Sequence, residues 1–513
     1  MTSMKTKTHT LPDDPQTLQQ MVLQMQEKLA QKDTLILTLQ QQLLVLRRRQ
    51  FGRSSEQVEK QIHQIELQLE ELEIQAAQTA DVALPGTDRT AIPKRRISLP
   101  EHLPRDERRV ESPQSCPDCA GELKHIGDDV SEVLDVVPVS YRVIKIVRPK
   151  YSCACCNTLI QGEAPQRVVP KGLASSALLT QVMVDKYLDH QPLYRQSERM
   201  AREGVDIERS TLAGWVGQVS TLISPLVDAI GKHVKSGHHI YADDTTAPTL
   251  KPGKGKTQTG RYWTYVRDGR DWNENAPPAV WLHYSEDRKS LHPTSHLKGY
   301  AGSLQTDAYA GYNDVYHKGV AFTGCWAHVR RKFYDITQAG PSPIAEQAIT
   351  TIQQLYAIEK AIKNKPPDVR QQVRQQQSMP ILDELYTWLQ ATLRTLSKGS
   401  GLSKAVRYAL NQWEGLVAYT RNGRASIDNN TAEHSLRPIA LGRKNYLFAG
   451  SVAGGQRAAA LYSLLSTAKL NGLNPSQYLT AVLKRIGQHP INQIDELLPW
   501  NIDLTHTQMT DAL

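Results

Sequence analysis

Long apolar runs are missing from these 513 residues. No stretch carries about 18 uninterrupted apolar side chains, and the opening MTSMKTKTHTLPDDP has no apolar core. Neither a membrane span nor a secretory signal is therefore expected, and the protein is assigned to the cytoplasm. Cysteine is scarce, six in all, and five of the six fall between Cys116 and Cys156. That clustering argues against a dispersed disulfide framework and, in a reducing compartment, for metal binding. Acidic residues are in deficit, 52 against 61 Lys plus Arg, and the resulting +9 leans toward a polyanionic partner such as nucleic acid. A chain of this length exceeds one compact core, so several domains are expected.

Residues 1–80 read as a coiled-coil dimerisation region with a basic segment. Val22, Leu29, Ile36 and Leu43 share one heptad seam, and Leu18, Met25, Leu39 and Leu46 share the other, broken by Lys32. This pattern predicts a parallel two-stranded coil, hence a homodimer or higher assembly; the alternative is a helix packed on its own domain. Arg47, Arg48, Arg49 and Arg53 then surround Phe51 and Gly52, a basic knot suited to DNA phosphates or to a solvated helix end. Residues 81–112 mix Pro, Gly and charge without periodicity and form a linker.

In residues 113–170, Cys116 and Cys119 are answered by Cys153 and Cys156. Two such CxxC pairs have the spacing of a structural Zn²⁺ site in a zinc ribbon, and residues 130–151 between them read as strands. Cys155 leaves the ligand set open. Residues 171–235 are helical in pattern and have the rhythm of a helix-turn-helix DNA-binding region. One helix runs to about Arg202, Gly204 permits the turn, and Ser210 caps a second helix whose polar face would meet a major groove; a purely structural hairpin is the alternative.

Residues 236–475 hold three widely separated carboxylates, each at the edge of an apolar element. HHIYADDTTAPTL reads as a strand ending at Asp243 and Asp244, GRYWTYVRD and AVWLHYS as two more strands, and GSLQTDAYAGYND as a short strand ending near Asp307. Residues 335–425 form a helical insertion. Beyond it, Asp428 or Asn429 can cap a helix that carries Glu433 one turn inside. Strands, helix and further strand in this order suit a ribonuclease-H-like α/β catalytic domain, although other α/β folds share the pattern. Residues 476–513 read as a C-terminal tail, and the whole as a multidomain α+β chain.

RRRQFGRSSEQ, the paired CxxC motifs, YADDTTAPTL, GSLQTDAYAGYN, CWAHVRRKF, DNNTAEHSLRPIALGRKNYLFAGS, NPSQYLTAVL and ELLPWN occur in that order. Together the sequence resembles the large catalytic subunit of the insertion-sequence-66 transposases over nearly its full length. The resemblance implies a DDE transposase that binds transposon ends, cleaves them at the 3′ end and joins them to target DNA, helped by small accessory proteins. It implies that Asp243, Asp307 and Glu433 are the catalytic acids and that Asp244 is not, so Asp244→Asn is expected to keep substantial activity. Hard carboxylate oxygens suit Mg²⁺ or Mn²⁺, two per active site about 3.5–4 Å apart.

Other residues carry weaker signals. Arg437, one turn after Glu433, would hold the scissile phosphate if Pro438 leaves the turn intact, and Arg443 and Lys444 would track the DNA backbone. His328 either organises the site or is a core histidine. Trp388 and Trp413 either stack on an extruded base or pack in a core. Two other functions compete: a ribonuclease-H-like nuclease without strand transfer, and a DNA-binding regulator with vestigial acids. The location expected is cytoplasmic and nucleoid-associated.

Overall fold

The computed structural model describes residues 140–152, 159–161, 167–169, 172–250, 257–307, 309–446 and 449–504, and Asp14. The heptad seams, Arg47, Arg48, Arg49 and Arg53, and Cys116, Cys119, Cys153, Cys155 and Cys156 lie outside the described residues. What is described is a mixed α+β architecture with a helical majority and one mixed sheet. Among the described residues no helix is long and apolar enough to cross a membrane.

Strands β1 (Lys150–Ser152) and β2 (Leu159–Gln161) pair antiparallel, with Tyr151 opposite Ile160. The strand expected upstream is not found over residues 140–149, which have no regular structure. Val147 is 69% exposed there, and among the described residues no strand or core covers the apolar alternation.

Helix α1 (Ser176–Tyr187) begins where the Ser175 hydroxyl accepts from the Leu178 amide. The following helix α2 (Leu193–Arg202) is tied to it by the fully buried Gln196, whose amide donates to the Val182 and Gln191 carbonyls, and by an Arg199–Asp185 ion pair. Gly204, at φ +76°, makes the turn out of α2. Helix α3 (Arg209–Leu222) starts earlier than expected, which corrects the role given to Ser210. Glu208 stands at the N-cap position, and Ser210, already inside the first turn, donates to the Glu208 carboxylate at 2.9 Å. A hydroxyl on helical backbone cannot reach forward to the free amides as a cap does. Helix α4 (Ser224–Lys235) follows directly.

The sheet is ordered β5-β4-β3-β6-β7. Strands β3 (His239–Leu250), β4 (Thr257–Arg267) and β5 (Ala279–Ser285) form an antiparallel meander. Helix α5 (Leu291–His296) then leads to β6 (Ser303–Gln305), which lies parallel to β3, and a short helix α6 (Asn313–Tyr316) leads to β7 (Ala321–Thr323), parallel to β6. β3 does not end at its acids, as the sequence reading had it, but continues to Leu250. Pro248 cannot donate to a neighbouring strand. However, β6 covers β3 only over His239–Tyr241, so a missing donor is tolerated farther along.

Six helices intervene before the polypeptide returns to the sheet: α7 (Trp326–Ala339), α8 (Pro343–Ala361), α9 (Pro367–Val373), α10 (Met379–Thr395), α11 (Gly401–Asn411) and α12 (Trp413–Ala418). They enclose their own core, in which Trp326, Phe333, Leu355, Leu385 and Val406 are essentially inaccessible. Trp388 packs against this core, and Trp413 meets Trp326 edge to face, so both serve packing. Helix α13 (Asn430–Asn445) crosses back over β3 and β4, and α14 (Val452–Leu470) covers the edge strand β5. The Ser463 and Thr467 hydroxyls accept from the Leu282 and Val280 amides, occupying edge donors that would otherwise invite another strand. Gly455 allows the approach, since a Cβ there would meet the Tyr284 ring at 2.5 Å.

Residues 476–504 are no tail. Helix α15 (Pro475–Arg485) buries Tyr478, Leu479 and Val482 and packs on α1, and the Tyr478 hydroxyl donates to the Leu497 carbonyl.

One buried histidine, His239, and two partly buried ones, His283 and His296, give the fold a pH dependence. Burial holds His239 down to about 3, burial and then the charge of Lys235 hold His283 at about 4, and burial with its histidine neighbours holds His296 at about 2. All are depressed, so as pH falls the unfolded chain takes up protons before the folded one. Their stabilisation is complete above about pH 6.5 and is lost progressively below it. Urea midpoints should fall steadily from about pH 6.5 to pH 4.5; an unchanged midpoint over that interval would contradict histidines held neutral by the fold.

Candidate active site

Asp243 lies in mid-β3 opposite Thr264, and its Oδ1 accepts from the Asp244 amide at 2.7 Å. Burial first, then the negative charges of Asp307 and Glu433, push its carboxyl well above the usual carboxylate range. Two acids far apart in sequence thus lie near enough to Asp243 for their charges to act on it. Asp307 follows β6, where its Oδ1 accepts from the Tyr309 amide at 3.1 Å and turns the backbone. Glu433 sits in the first turn of α13 with its side chain 16% exposed.

The start of α13 is fastened at several points. Asp428 Oδ1 accepts from the Asn430 amide, so of the two expected capping residues Asp428 supplies the side-chain bond. Asn429 instead donates to the Ala242 carbonyl at 2.8 Å, beside Asp243, while its own amide reaches Cys325 Sγ. One turn on, the Ser435 hydroxyl meets that of Thr264, the residue opposite Asp243. Gln305, two residues before Asp307, donates to the Ser426 carbonyl and accepts from the Ser426 amide. Glu433 and Asp307 are therefore referenced to the same strands. Neither Gln305 nor Asn429 was singled out from sequence as a positioning group, because only the register of β3 against β6 reveals their task.

His328 Nε2 stands 3.8 Å from Glu433 Oε1, and the ligand atoms of Cys325, His328 and Glu433 lie within 4.8 Å of one another. Burial pushes the Cys325 thiol up, so a thiolate is disfavoured there and the carboxylates dominate the donor chemistry. Asp244 points away from Asp243 and is almost inaccessible, at 1%, between Arg261 and Arg288. Substituting Asp244 therefore removes its ion pairs with two partly exposed arginines, a structural cost separate from the substantial activity expected of Asp244→Asn. Arg437 and Lys444 are exposed on α13, whose helix continues through Pro438. Arg443 Nη1 is committed to the Thr246 carbonyl and hydroxyl, both at 2.6 Å, and ties α13 to the far half of β3.

The chain matches known families and proteins along most of its length. Residues 171–457 match the model described as "Transposase IS66 family", and residues 113–157 match the "zinc-finger binding domain of transposase IS66". Residues 463–500 match the "IS66 C-terminal element", and residues 38–108 "Transposase C of IS166 homeodomain". The chain is 37% identical over 419 residues to "Uncharacterized protein y4hP" of Sinorhizobium fredii (strain NBRC 101917 / NGR234), covering 78% of this chain and 76% of that protein. It is 38% identical over 414 residues to "Uncharacterized protein y4jD" of the same organism, covering 79% and 81%. Matched by the family model over more than half of its length, and similar to these relatives over most of theirs, the chain belongs to the IS66 family of transposases.

Proposed function

We propose that this transposase is a DDE enzyme that cleaves transposon 3′ ends and joins them to target DNA at a centre made by Asp243, Asp307 and Glu433. The observation that carries the reading is the mutual approach of these acids from β3, the end of β6 and α13. The antiparallel β5-β4-β3 meander continued by parallel β6 and β7 supports a ribonuclease-H-like catalytic domain. Three crowded carboxylates, one of them buried and held back from ionising by the others, fit Mg²⁺ or Mn²⁺, two per site, whose charge would relieve that repulsion. Such ions, when bound, activate the attacking oxygen and stabilise the leaving one. The polypeptide's own part is to hold the three carboxylates in place: Asn429 and Ser435 hold α13 against the strands, and His328 borders Glu433. Water would displace one ester oxygen at the end phosphodiester, leaving a 3′-hydroxyl on the transposon and a 5′-phosphate on the flank; that 3′-hydroxyl would then attack a target phosphodiester, forming the new P–O bond as a target 3′-hydroxyl leaves.

DNA would be held by α2 and α3 as a helix-turn-helix, by Arg437 and Lys444, and by Arg47, Arg48, Arg49 and Arg53. The exposed face of α3, with Arg209, Ser210, Thr211 and Gln218, supports the first of these. A coiled-coil homodimer or higher assembly, accessory proteins and nucleoid association in the cytoplasm complete the proposal. Strand transfer separates it from a simple nuclease. Given a precut 3′ end with the sequence flanking its gene, target DNA and Mg²⁺, the protein should yield covalently joined product; cleavage without joining would favour the nuclease.

Zinc is proposed as structural, on Cys116, Cys119, Cys153 and Cys156. Elemental analysis of the full chain should find about one zinc per chain. The Cys116→Ser/Cys119→Ser double variant should lose it, and a full zinc complement in that variant would exclude these ligands.

A further inference from the structure

Arg288 lies in the loop after β5 and forms no part of the acid triad, yet its guanidinium reaches the triad. Its Nε donates to both Asp244 oxygens at 3.0 and 3.1 Å, and its Nη2 donates to Asp244 Oδ1 at 2.8 Å. The guanidinium lies 3.7 Å from the Tyr309 ring centroid, and the Tyr309 hydroxyl donates to the Arg288 carbonyl. Asp244 is shared with Arg261, whose Nη1 donates to Oδ2 at 2.8 Å. Arg288 is thus gripped along one edge and on one face. The other edge remains: Nη1 makes no hydrogen bond among the described residues, and the side chain is 35% exposed. Nη2 stands 3.8 Å from Asp307 Oδ2, so the guanidinium borders one of the three proposed catalytic carboxylates.

A planar guanidinium with two sides fixed and one edge open is pre-organised for a phosphate oxygen, since little side-chain freedom remains to be lost on binding. A guanidinium serving only to neutralise Asp244 would be redundant beside Arg261 and would have no reason to stand against Asp307. From this geometry we infer that Arg288 binds the DNA phosphodiester that lies at the Asp243–Asp307–Glu433 centre, and that Asp244 and Tyr309 position it. This inference rests on the proposed function and gives the second acid of the Asp243-Asp244 pair a task distinct from that of the first.

The test uses the full chain and duplexes ending in the sequence that flanks its gene. Each duplex is made with either a natural phosphodiester or a neutral methylphosphonate at the cleavage position. Arg288→Ala should weaken binding of the natural duplex about tenfold, yet bind the neutral duplex as the parent does. Arg288→Lys, a point charge without the fork, should recover part of the loss. Asp244→Asn should reduce the discrimination between the two duplexes while leaving affinity for the neutral one unchanged, which a merely structural role would not do. Arg261 still pairs Asp244 in the Arg288 variants, and thermal melts check that they fold. Equal penalties on both duplexes, or no penalty on either, would overturn the inference. Cleavage of the natural duplex by Asp307→Asn in the presence of Mg²⁺ would instead overturn the carboxylate centre, so the two failures are distinguishable.

Discussion

Asp243→Asn, Asp307→Asn and Glu433→Gln are each expected to bind transposon-end DNA within about threefold of the parent while losing cleavage by at least about a thousandfold. Each substitution keeps the shape of its side chain and removes one anionic donor from the proposed centre, where burial and the charges of Asp307 and Glu433 already act on Asp243. Acids that share one task do not contribute additively, so pairs of these substitutions should lose little beyond the singles. Asp243→Asn has a second expected effect, on stability. Burial and its two acidic neighbours disfavour its ionised form, so Asp243→Asn should leave thermal stability unchanged or raise it slightly in the absence of divalent ions. Mn²⁺ should raise the melting temperature of the parent and not that of the variants. Tight binding with normal cleavage in any one variant would remove that residue from the centre.

A second large effect is expected far from the chemistry. Arg374 is wholly buried and Arg370 nearly so, with Glu359 as their shared carboxylate. Arg374 donates to both Glu359 oxygens, at 2.7 and 2.6 Å, and to the carbonyls of Tyr419, Asn422 and Ala425, each at 2.9 Å. Arg370 donates to the carbonyls of Gly423, Asp271 and Ala425. The segment so gathered runs directly into Asp428 and the helix of Glu433, so two guanidinium groups shape the approach to that helix. Around Gly423 the fit leaves no room, since a Cβ there would stand 1.8 Å from the Pro367 carbonyl oxygen. Glu359→Ala leaves two buried cations without their anion and should cost about 3–5 kcal/mol in denaturant unfolding. A loss under about 1 kcal/mol would mean that the carbonyls alone satisfy both guanidinium groups.

Elements set by local rules were legible in the sequence, and pairings across the fold were not. The β-branched and aromatic content of HHIYADDT, GRYWTYVRD and AVWLHYS announced β3, β4 and β5, and Gly204 marked the turn before α3. The acids were visible through their resemblance to a family, whereas their approach to one another depends on Gln305 and Asn429, whose partners lie 121 and 187 residues away. Asp244 shows the same limit. Alternation along a strand turns it away from Asp243, but no local rule names Arg288, 44 residues on, as its partner. Arg443 looked like a DNA contact because charge is conspicuous in a sequence, while Thr246, which holds it, is not. Residues 476–504 read as a tail because their apolar side chains match a surface on α1 that only the assembled fold presents.

The most direct test of the carboxylate centre is incubation of the full chain with Mg²⁺, target DNA and labelled duplexes ending in the sequence that flanks its gene, beside Asp243→Asn, Asp307→Asn and Glu433→Gln. The account predicts 3′-end cleavage and labelled joined product from the parent and neither from any of the three variants; joined product from all three variants would contradict it.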